Sequence, residues 1–399
     1  MSLYEFGCRV FQTAAKLSAP LLDWREPQLI AGPGSVMELP RLLKRLGLAR
    51  VLLVTDQGLM KTGLPLPLLK GLGDLGIFCA VYDKTQANPT VDNVEAARKL
   101  YAETKCEAII AIGGGSPMDC AKGAGALAAR PGKTIPQMRG VLKVCRKLPP
   151  LFAVPTTAGT GSEATVAAVV TEPDTHEKYA VMDPCLCPQY AVLDPQLTLG
   201  LPPHLTAATG MDALTHAVEA YIGRSNTKKT ARLALEATGM IFAWLETAYR
   251  DGANLEAREN MLRASYKAGV AFTRAYVGYV HAIAHTLGGL YGVPHGFANA
   301  VLLPHVLDWY GAAARPRLAE LARAAHISGE NDAALAHGFI ARVREMNARM
   351  EIPETLDSVQ EEDIPLIATR ALREANPLYP VPKIMGQAAC EALLRNILA

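Results

Sequence analysis

The sequence lacks the features that mark several large classes of protein. No run of about 18 uninterrupted apolar residues occurs, which argues against a membrane-spanning helix. The net charge is only +2 and basic residues form no cluster, so we expect neither a nucleic-acid partner nor an anionic membrane surface. The N-terminal stretch MSLYEFGCRVFQTAAKLSAP lacks the basic head, apolar core and cleavage site of a secretory signal. These absences predict a cytoplasmic protein, and the stretch itself is compatible with a short amphipathic helix.

Cysteine is present but forms no C-x-x-C pair. Cys185 and Cys187 are two residues apart, which alone is weak support for a metal site. In a chain of 399 residues without a secretory signal, we expect all eight cysteines to be free thiols in a reducing compartment. Cys120 follows a glycine-rich segment and is expected to pack inside a helix.

Strand and helix patterns alternate through the first half of the chain. Apolar, β-branched runs such as ARVLLVTD, which ends in Asp56, and EAIIAIGGGS are typical of buried parallel strands, and helical periodicity follows each of them. Beyond LGLPPHLTA, near residues 199 to 207, almost every segment has helical spacing. We therefore predict an α/β, Rossmann-like dinucleotide-binding domain over residues 1–200 and an all-α metal-binding domain over 201–399. The cleft between them is the predicted site.

Two glycine-rich segments follow predicted strands. GGGS at 113 to 116 lies between an apolar strand and a helix, where backbone N–H groups attract phosphate, and Ser116 or Asp119 is placed to cap that helix. PTTAGTGSE offers hydroxyls from Thr156, Thr157 and Thr160 at the end of another strand. The alternative is that GGGS only makes a tight strand–helix turn and PTTAGTGSE only a polar turn. The context of GGGS already favours phosphate binding, and two such segments in one sheet favour a nucleotide.

Histidines and one aspartate recur at helical spacing in the second half. Asp212 and His216 are four residues apart, as are His281 and His285, so each pair lies on one helix face. His295 follows Pro294 at a predicted helix start. Imidazoles with one carboxylate form a ligand set for Fe(II) or Zn(II), although such residues are also often only structural. Spacing does not decide between His281 and His285, and we expect a structural role for His305.

Four segments together resemble one family. GGGSPMDCAK, PTTAGTGSE, GMDALTHAVEAY and GYVHAIAHTLGGLYGVPHGFANAVLLPHV are closely similar to signatures of the iron-containing (group III) alcohol dehydrogenases, and the resemblance covers roughly residues 25 to 395. It implies a role for several sets of residues. The metal ligands are Asp212, His216, His281 and His295, and the catalytic histidine near the nicotinamide is His285. The cofactor residues are Asp56, Asn88, Gly114, Gly115, Ser116, Asp119, Thr156, Thr157, Thr160 and Lys178. The substrate pocket includes Ala167, Phe272, Arg274 and Val277.

The resemblance implies a metal-dependent, NAD-linked alcohol dehydrogenase that also reduces aldehydes. It transfers hydride between a primary alcohol and nicotinamide C4, with Fe(II) as the expected metal and Zn(II) as the alternative. A carboxylate at Asp56 repels a 2′-phosphate, which predicts NAD over NADP, although the same aspartate is also placed to cap a turn. His285 is expected either to move the proton or only to shape the pocket. The family also suggests a homodimer or higher homo-oligomer, with the strand in QLIAGPGSV as a contributor to the interface.

Other functions on the same fold have to be weighed. The segment FTRAYVGYV carries Arg274 where relatives have small or amide side chains, and an arginine there would suit a hydroxyacid–oxoacid transhydrogenase, because it can hold a carboxylate. A polyol dehydrogenase is a related alternative. A lyase of the dehydroquinate synthase type is disfavoured by its different signature residues. A non-catalytic sensor or structural protein is disfavoured by the intact ligand set and the two glycine loops.

Overall fold

The computed structural model describes residues 2–175 and 177–398, which form two compact units. One unit is Asp23–Leu201, and the other joins the residues from Pro202 onward to those that precede Asp23. Within the described residues, helices α1 to α15 are Leu3–Ser18, Leu39–Arg45, Gln57–Thr62, Leu66–Asp74, Val91–Glu103, Gly115–Ala129, Pro203–Ile222, Lys228–Arg250, Leu255–Ala275, Tyr279–Leu290, His295–Tyr310, Arg315–Ala324, Asp332–Arg349, Ile364–Ala375 and Gln387–Arg395. Strands β1 to β9 are Gln28–Ala31, Arg50–Val54, Phe78–Tyr82, Ala108–Gly113, Gly140–Val141, Leu151–Pro155, Ala167–Thr171, Lys178–Met182 and Tyr190–Leu193.

The α/β unit is built on a parallel sheet in the order β1-β9-β6-β4-β2-β3. Every residue of the central strand β4 is buried, because helices cover both faces of the sheet. Leu52 and Val54 of β2 pack on the side of α5 and α6, whereas Val51 and Leu53 pack on the side of α2 and α4. This alternation confirms the predicted doubly wound α/β fold.

A second, smaller sheet in the same unit has the order β5-β8-β7. Strands β7 and β8 pair antiparallel and alternate between buried and half-buried residues, as expected where only one face packs on the core. Strand β9 returns to the main sheet beside β1 and β6. The β-like segments after Glu163 are therefore divided between two sheets.

The second unit is helical, which confirms the predicted all-α part. Helix α7 is buried along nearly its whole length and packs against α8, α9 and α11. None of the described helices combines the length and the apolar composition that a membrane crossing requires.

Helix α1 belongs to the helical unit, although the sequence-based boundary grouped it with the sheet. Arg9 donates from Nη1 to the carbonyl of Val381 at 2.7 Å and from Nη2 to that of Pro382 at 2.9 Å. Gln12, which is buried, donates to the carbonyl of Tyr379 at 2.7 Å. These side-chain contacts join residues more than 360 positions apart, so sequence periodicity carries no sign of them.

Candidate metal centre and dinucleotide site

The first glycine-rich segment joins β4 to α6 with its backbone exposed to a cavity. Gly113 has φ +148°, and Gly114 is the N-cap of α6, whose first turn holds no acidic residue and receives no side-chain cap from the described residues. The first N–H groups of α6 are therefore oriented to bind an anion. Because the cap is Gly114, the prediction that Ser116 or Asp119 caps this helix is wrong.

Ser116 and Asp119 instead tie this segment to its neighbours. Ser116 Oγ accepts from the backbone N–H of Asn88 at 3.2 Å, and Asn88 Oδ1 accepts from Lys178 Nζ at 2.7 Å. Asp119 accepts from Ser162 Oγ at 2.9 Å and from the N–H of Val169 at 3.1 Å. Asp119 thus braces the second glycine-rich segment.

A cavity of about 610 Å³ lies at the carboxyl ends of β2, β3 and β4. Its lining includes four predicted cofactor residues: Asp56, Gly114, Gly115 and Ser116. Asp56 Oδ1 also accepts from the N–H of Leu59 at 2.8 Å and so caps α3. The capping role that we considered as the alternative for Asp56 is therefore real, and it coexists with a position on the cavity wall.

The second glycine-rich segment packs directly against the first. Strand β6 pairs with β4, and the N–H of Thr156 donates to the carbonyl of Gly113 at 2.9 Å. A β-carbon on Gly115 would lie 2.9 Å from Thr160 Cγ2, and one on Gly114 would lie 3.5 Å from Thr157 Oγ1. The close approach leaves no room for a side chain at Gly115.

The buried side chain of Lys122 on α6 holds the second glycine-rich segment in place. Lys122 is fully buried and donates to Ser162 Oγ at 2.9 Å, to Thr165 Oγ1 at 2.7 Å and to the carbonyl of Ala167 at 2.8 Å. Burial lowers the pKa of Lys122 and raises the pKa of Glu163 to about 7. Ala167, a predicted substrate-pocket residue, is half-buried on β7 and contributes this carbonyl.

The helical unit brings the predicted ligands to one buried place. Asp212 and His216 lie on α7, His281 on α10, and His295 is the first residue of α11. Asp212 Oδ1 lies 3.9 Å from His216 Nδ1, 3.7 Å from His281 Nε2 and 3.5 Å from His295 Nε2. Ligands bound tetrahedrally at about 2.1 Å lie about 3.4 Å apart, so these separations are close to those of a coordination shell.

The three most buried of these groups form a triad. The ligand atoms of Asp212, His216 and His281 lie within 4.8 Å of one another, and these side chains are at most 6% exposed. The His295 side chain is 26% exposed and lies beside Asp212. Burial disfavours the charge of Asp212, but His216 and His295 together hold the pKa of its carboxyl below the usual range.

Glu219 fixes the orientation of His281. Its Oε2 accepts from His281 Nδ1 at 2.7 Å, while His281 Nε2, which has no hydrogen-bond partner among the described residues, faces Asp212. Burial lowers the pKa of His281, but the carboxylates of Asp212 and Glu219 outweigh it and raise that pKa to about 9. A carboxylate on one ring nitrogen and a buried orphan on the other is the arrangement of a metal-ligating histidine.

His285 lies one turn from His281 and has a different partner. Its Nδ1 is 2.7 Å from Glu374 Oε1, and its ring stacks on that of His295 with centroids 5.0 Å apart. His285 is not part of the buried triad. His305, further along α11, is half-buried, and burial lowers its pKa.

The other predicted pocket residues lie at the end of α9. The ring of Phe272 stacks on His216 with centroids 4.0 Å apart, so it covers one side of the ligand cluster. Arg274 and Val277 are half-buried nearby in the chain. Between them Tyr276 has φ +65° and ψ 177°, a conformation costly for a residue with a side chain, and such strain often occurs at functional sites.

The two halves of the chain match two profiles of one family. Residues 27–195 match "Iron-containing alcohol dehydrogenase" and residues 206–398 match "Fe-containing alcohol dehydrogenase family, C-terminal". A 1,3-propanediol dehydrogenase of Klebsiella pneumoniae is 41% identical over 90% of this chain and 95% of its own length. The chain belongs to the iron-containing alcohol dehydrogenase family. This confirms the resemblance seen in the sequence.

Other relatives agree with this membership. An NAD-dependent methanol dehydrogenase of Bacillus methanolicus is 38% identical over 92% of this chain and 98% of its own. The crystal structure of a 1,3-propanediol oxidoreductase superposes with a TM-score of 0.90 at 38% identity, covering 94% of this chain and 99% of that one. The alcohol dehydrogenase from Oenococcus oeni gives 0.91 at 35% identity, covering 94% and 100%.

This member of the iron-containing alcohol dehydrogenases is an enzyme, an oxidoreductase that acts on small molecules. The relatives favour an NAD-linked alcohol dehydrogenase over the transhydrogenase and polyol alternatives. The family implies a nicotinamide cofactor and a divalent metal. The residues present suit both groups. For the metal, His281 Nε2 has no hydrogen-bond partner among the described residues and faces the buried carboxylate of Asp212. For the cofactor, the N-terminus of α6 has no side-chain cap from the described residues.

Three residues that contact the site of this alcohol dehydrogenase were not predicted from the sequence. Glu219 lies three residues after His216, and Asn299 lies four after His295; Asn299 donates to Asp212 Oδ1 at 2.7 Å. Both were within reach of the helical-spacing argument that found the histidine pairs. Glu374 is 89 residues from His285, and no local pattern indicates it.

Proposed function

We propose that this alcohol dehydrogenase uses NAD and Fe(II) to interconvert small or medium-sized uncharged primary alcohols and their aldehydes. The observation that carries the proposal is the group of three imidazole nitrogens within 3.9 Å of Asp212 Oδ1 in a buried site. Zn(II) is the alternative metal, because the ligand types suit both ions. The names of the relatives support an alcohol or a diol as substrate.

In this proposal Asp212, His216, His281 and His295 hold the metal. When bound, a divalent metal supplies Lewis acidity that lowers the pKa of an alcohol hydroxyl. Glu219 keeps a hydrogen on His281 Nδ1, so that Nε2 presents its lone pair. Phe272 shields the ring of His216 from water, and His285 accepts or passes on the substrate proton.

The cofactor would be held by the α/β unit. Gly114, Gly115 and the start of α6 would bind the pyrophosphate, and the Asp56 carboxylate, which caps α3 through Oδ1, would accept from the adenosine ribose. Around them, Asn88, Thr156, Thr160 and Lys178 would complete the site. NAD supplies the hydride chemistry, while the protein orients it. The predicted cleft between the two units stays a prediction.

A homodimer in the cytoplasm is a further part of the proposal. Strand β1 lies at the edge of the main sheet, and Leu29 on it is 45% exposed, which would suit a subunit contact. All eight cysteines are free thiols, in keeping with a reducing compartment. Light scattering coupled to size exclusion would give the mass in solution, and a monomer would contradict the dimer.

The metal assignment can be tested by stripping and reloading the enzyme. NADH formation from a panel of alcohols, diols and hydroxyacids should vanish after chelation and return with Fe(II) or Zn(II). The Asp212→Ala and His281→Ala proteins should lose stoichiometric metal, because each removes one ligand. His204→Ala is the matched control, since His204 is an exposed histidine on the same helix α7.

The outcomes separate cleanly. Stoichiometric metal in both ligand variants would refute the ligand set. Activity that is indifferent to stripping would show that the histidine cluster is not the catalytic centre. Turnover between a hydroxyacid and an oxoacid without added NAD would show that the enzyme is a transhydrogenase and contradict the proposed dehydrogenase activity.

A further inference from the structure

Glu374 is the partner of His285 and lies on a different helix. Glu374 is on the last turn of α14, which packs against α10, and its Oε1 lies 2.7 Å from His285 Nδ1. The two side chains are 17% and 29% exposed, so water screens this contact only partly. A carboxylate accepts only, which places the ring hydrogen on Nδ1.

A second donor holds Glu374 in place. Tyr379 Oη donates to the same Oε1 at 2.7 Å. Burial, and then the charge of Glu374, raises the pKa of Tyr379 well above its usual value, so that the phenol stays a donor. The Tyr379 backbone is itself fixed, since its N–H donates to the carbonyl of Ala375 and its carbonyl accepts from Gln12, both at 2.7 Å.

The His285 ring is thereby held on two sides. Glu374 bonds its Nδ1 edge, and the ring of His295 lies nearly parallel to it, with 15° between the planes. In the neutral ring, a hydrogen on Nδ1 leaves Nε2 as an acceptor on the edge away from Glu374. Without Glu374, the hydrogen bond that selects the Nδ1–H tautomer and the ring orientation would be lost.

We propose that Glu374 is a positioning residue for His285, fixing the tautomer and the ring plane in which Nε2 accepts the substrate's proton, with Tyr379 fixing Glu374. This inference rests on the role proposed above for His285 and extends it to residues that act through it. Two donors share Glu374 Oε1, one from His285 on α10 and one from Tyr379 beyond the end of α14. Such a carboxylate is fixed in position, which an acid at the protein surface is not.

The test compares three variants of the metal-loaded enzyme. Glu374→Leu removes the acceptor and should lower kcat by about 10- to 100-fold, the range typical for loss of the carboxylate partner of a metal-ligating histidine. Glu374→Gln keeps an acceptor and should remain within about fivefold, because only the charge assistance is lost. KM for NAD and the metal content should not change. Asp363→Asn is the matched control, since Asp363 accepts from Tyr291 at the other end of the same helix.

A double-mutant cycle decides whether the effect passes through His285. In a His285→Ala background, Glu374→Leu should change kcat by less than about twofold. A loss that persists there, an unchanged kcat in His285→Ala, or an unchanged kcat in Glu374→Leu would each overturn the proposal. If Glu374→Leu does not fold, Tyr379→Phe takes its place in the cycle, with an expected loss of about three- to tenfold.

Failure of this inference is distinguishable from failure of the proposed function. A wild-type enzyme that shows no metal-dependent alcohol oxidation would sink the proposed function before any variant is made. A wild-type enzyme that is active, combined with an additive cycle, would sink only the positioning role of Glu374.

Discussion

Replacing Glu219 by glutamine should weaken both the fold and the metal site. Glu219 is 3% exposed and accepts three hydrogen bonds: from His281 Nδ1 at 2.7 Å, from the N–H of Gly278 at 2.8 Å and from that of Val280 at 2.9 Å. A glutamine oxygen in the position of Oε2 can keep the first two bonds. Its NH₂ group then faces the N–H of Val280, so that one buried donor is left without an acceptor.

The size of the effect follows from this arrangement. One orphaned buried donor costs about 1–3 kcal/mol, and loss of the charge on the two remaining bonds adds about 1–2 kcal/mol, so unfolding should become easier by about 2–5 kcal/mol. The metal dissociation constant should rise about 10- to 100-fold, because His281 loses its charged partner. Denaturant unfolding of the metal-free protein and chelator competition measure the two quantities separately.

A surface carboxylate provides the control for this experiment. Glu236 is 40% exposed and pairs with Arg232 and Lys267, so Glu236→Gln should cost less than about 1 kcal/mol and leave metal binding unchanged. Metal affinity within twofold of wild type in Glu219→Gln would refute the view that this carboxylate tunes His281. An unfolding free energy equal to that of wild type would refute the hydrogen-bond accounting.

Two further predictions concern the α/β unit. Asp56→Asn should weaken NAD binding and let the enzyme use NADP, because the charge that repels a 2′-phosphate is removed. It should change the free energy of unfolding by less than about 0.5 kcal/mol, because asparagine caps α3 as well as aspartate does. The ratio of kcat/KM for NAD to kcat/KM for NADP measures the change in cofactor preference, and an unchanged ratio would contradict the prediction. Glu163, with its pKa raised from 4.5 to about 7, binds a proton in the folded protein that the unfolded chain releases, so stability should fall as pH rises from about 4.5 to about 7, by up to about 3 kcal/mol. In Glu163→Gln that slope should be missing from unfolding curves measured across this range, and a slope that persists would assign it to other groups.

The parts of the fold that are local in sequence were predictable. Strand β4 is apolar at every position because helices cover both faces, and the Asp212–His216 pair follows from one helical turn. The small sheet carried a weaker signal, since β7 alternates between buried and half-buried residues where β4 does not.

Long-range contacts explain most of what sequence reasoning missed. Glu374 on α14 contacts His285 on α10, and Lys122 on α6 donates to Ser162 and Thr165 in the segment that follows β6. The wrong prediction of the α6 cap has a different cause, because spacing alone does not show which partner a side chain binds. Ser116 is placed by spacing to cap α6, yet its hydroxyl accepts from Asn88, and an uncapped helix start is what an anion site needs.

The contact between α1 and the segment around residues 379 to 382 has a consequence for how the chain is made. Arg9 and the carbonyl of Val381 are 372 residues apart, which a ribosome covers in roughly 20 to 75 s at 5–20 residues per second. The α/β unit, Asp23–Leu201, is complete well before then. Helix α1 is therefore the first part of its unit to be synthesised, whereas the carbonyl groups that accept from Arg9 and Gln12 are made late. These contacts can form only after residues 379 to 382 have been added to the chain.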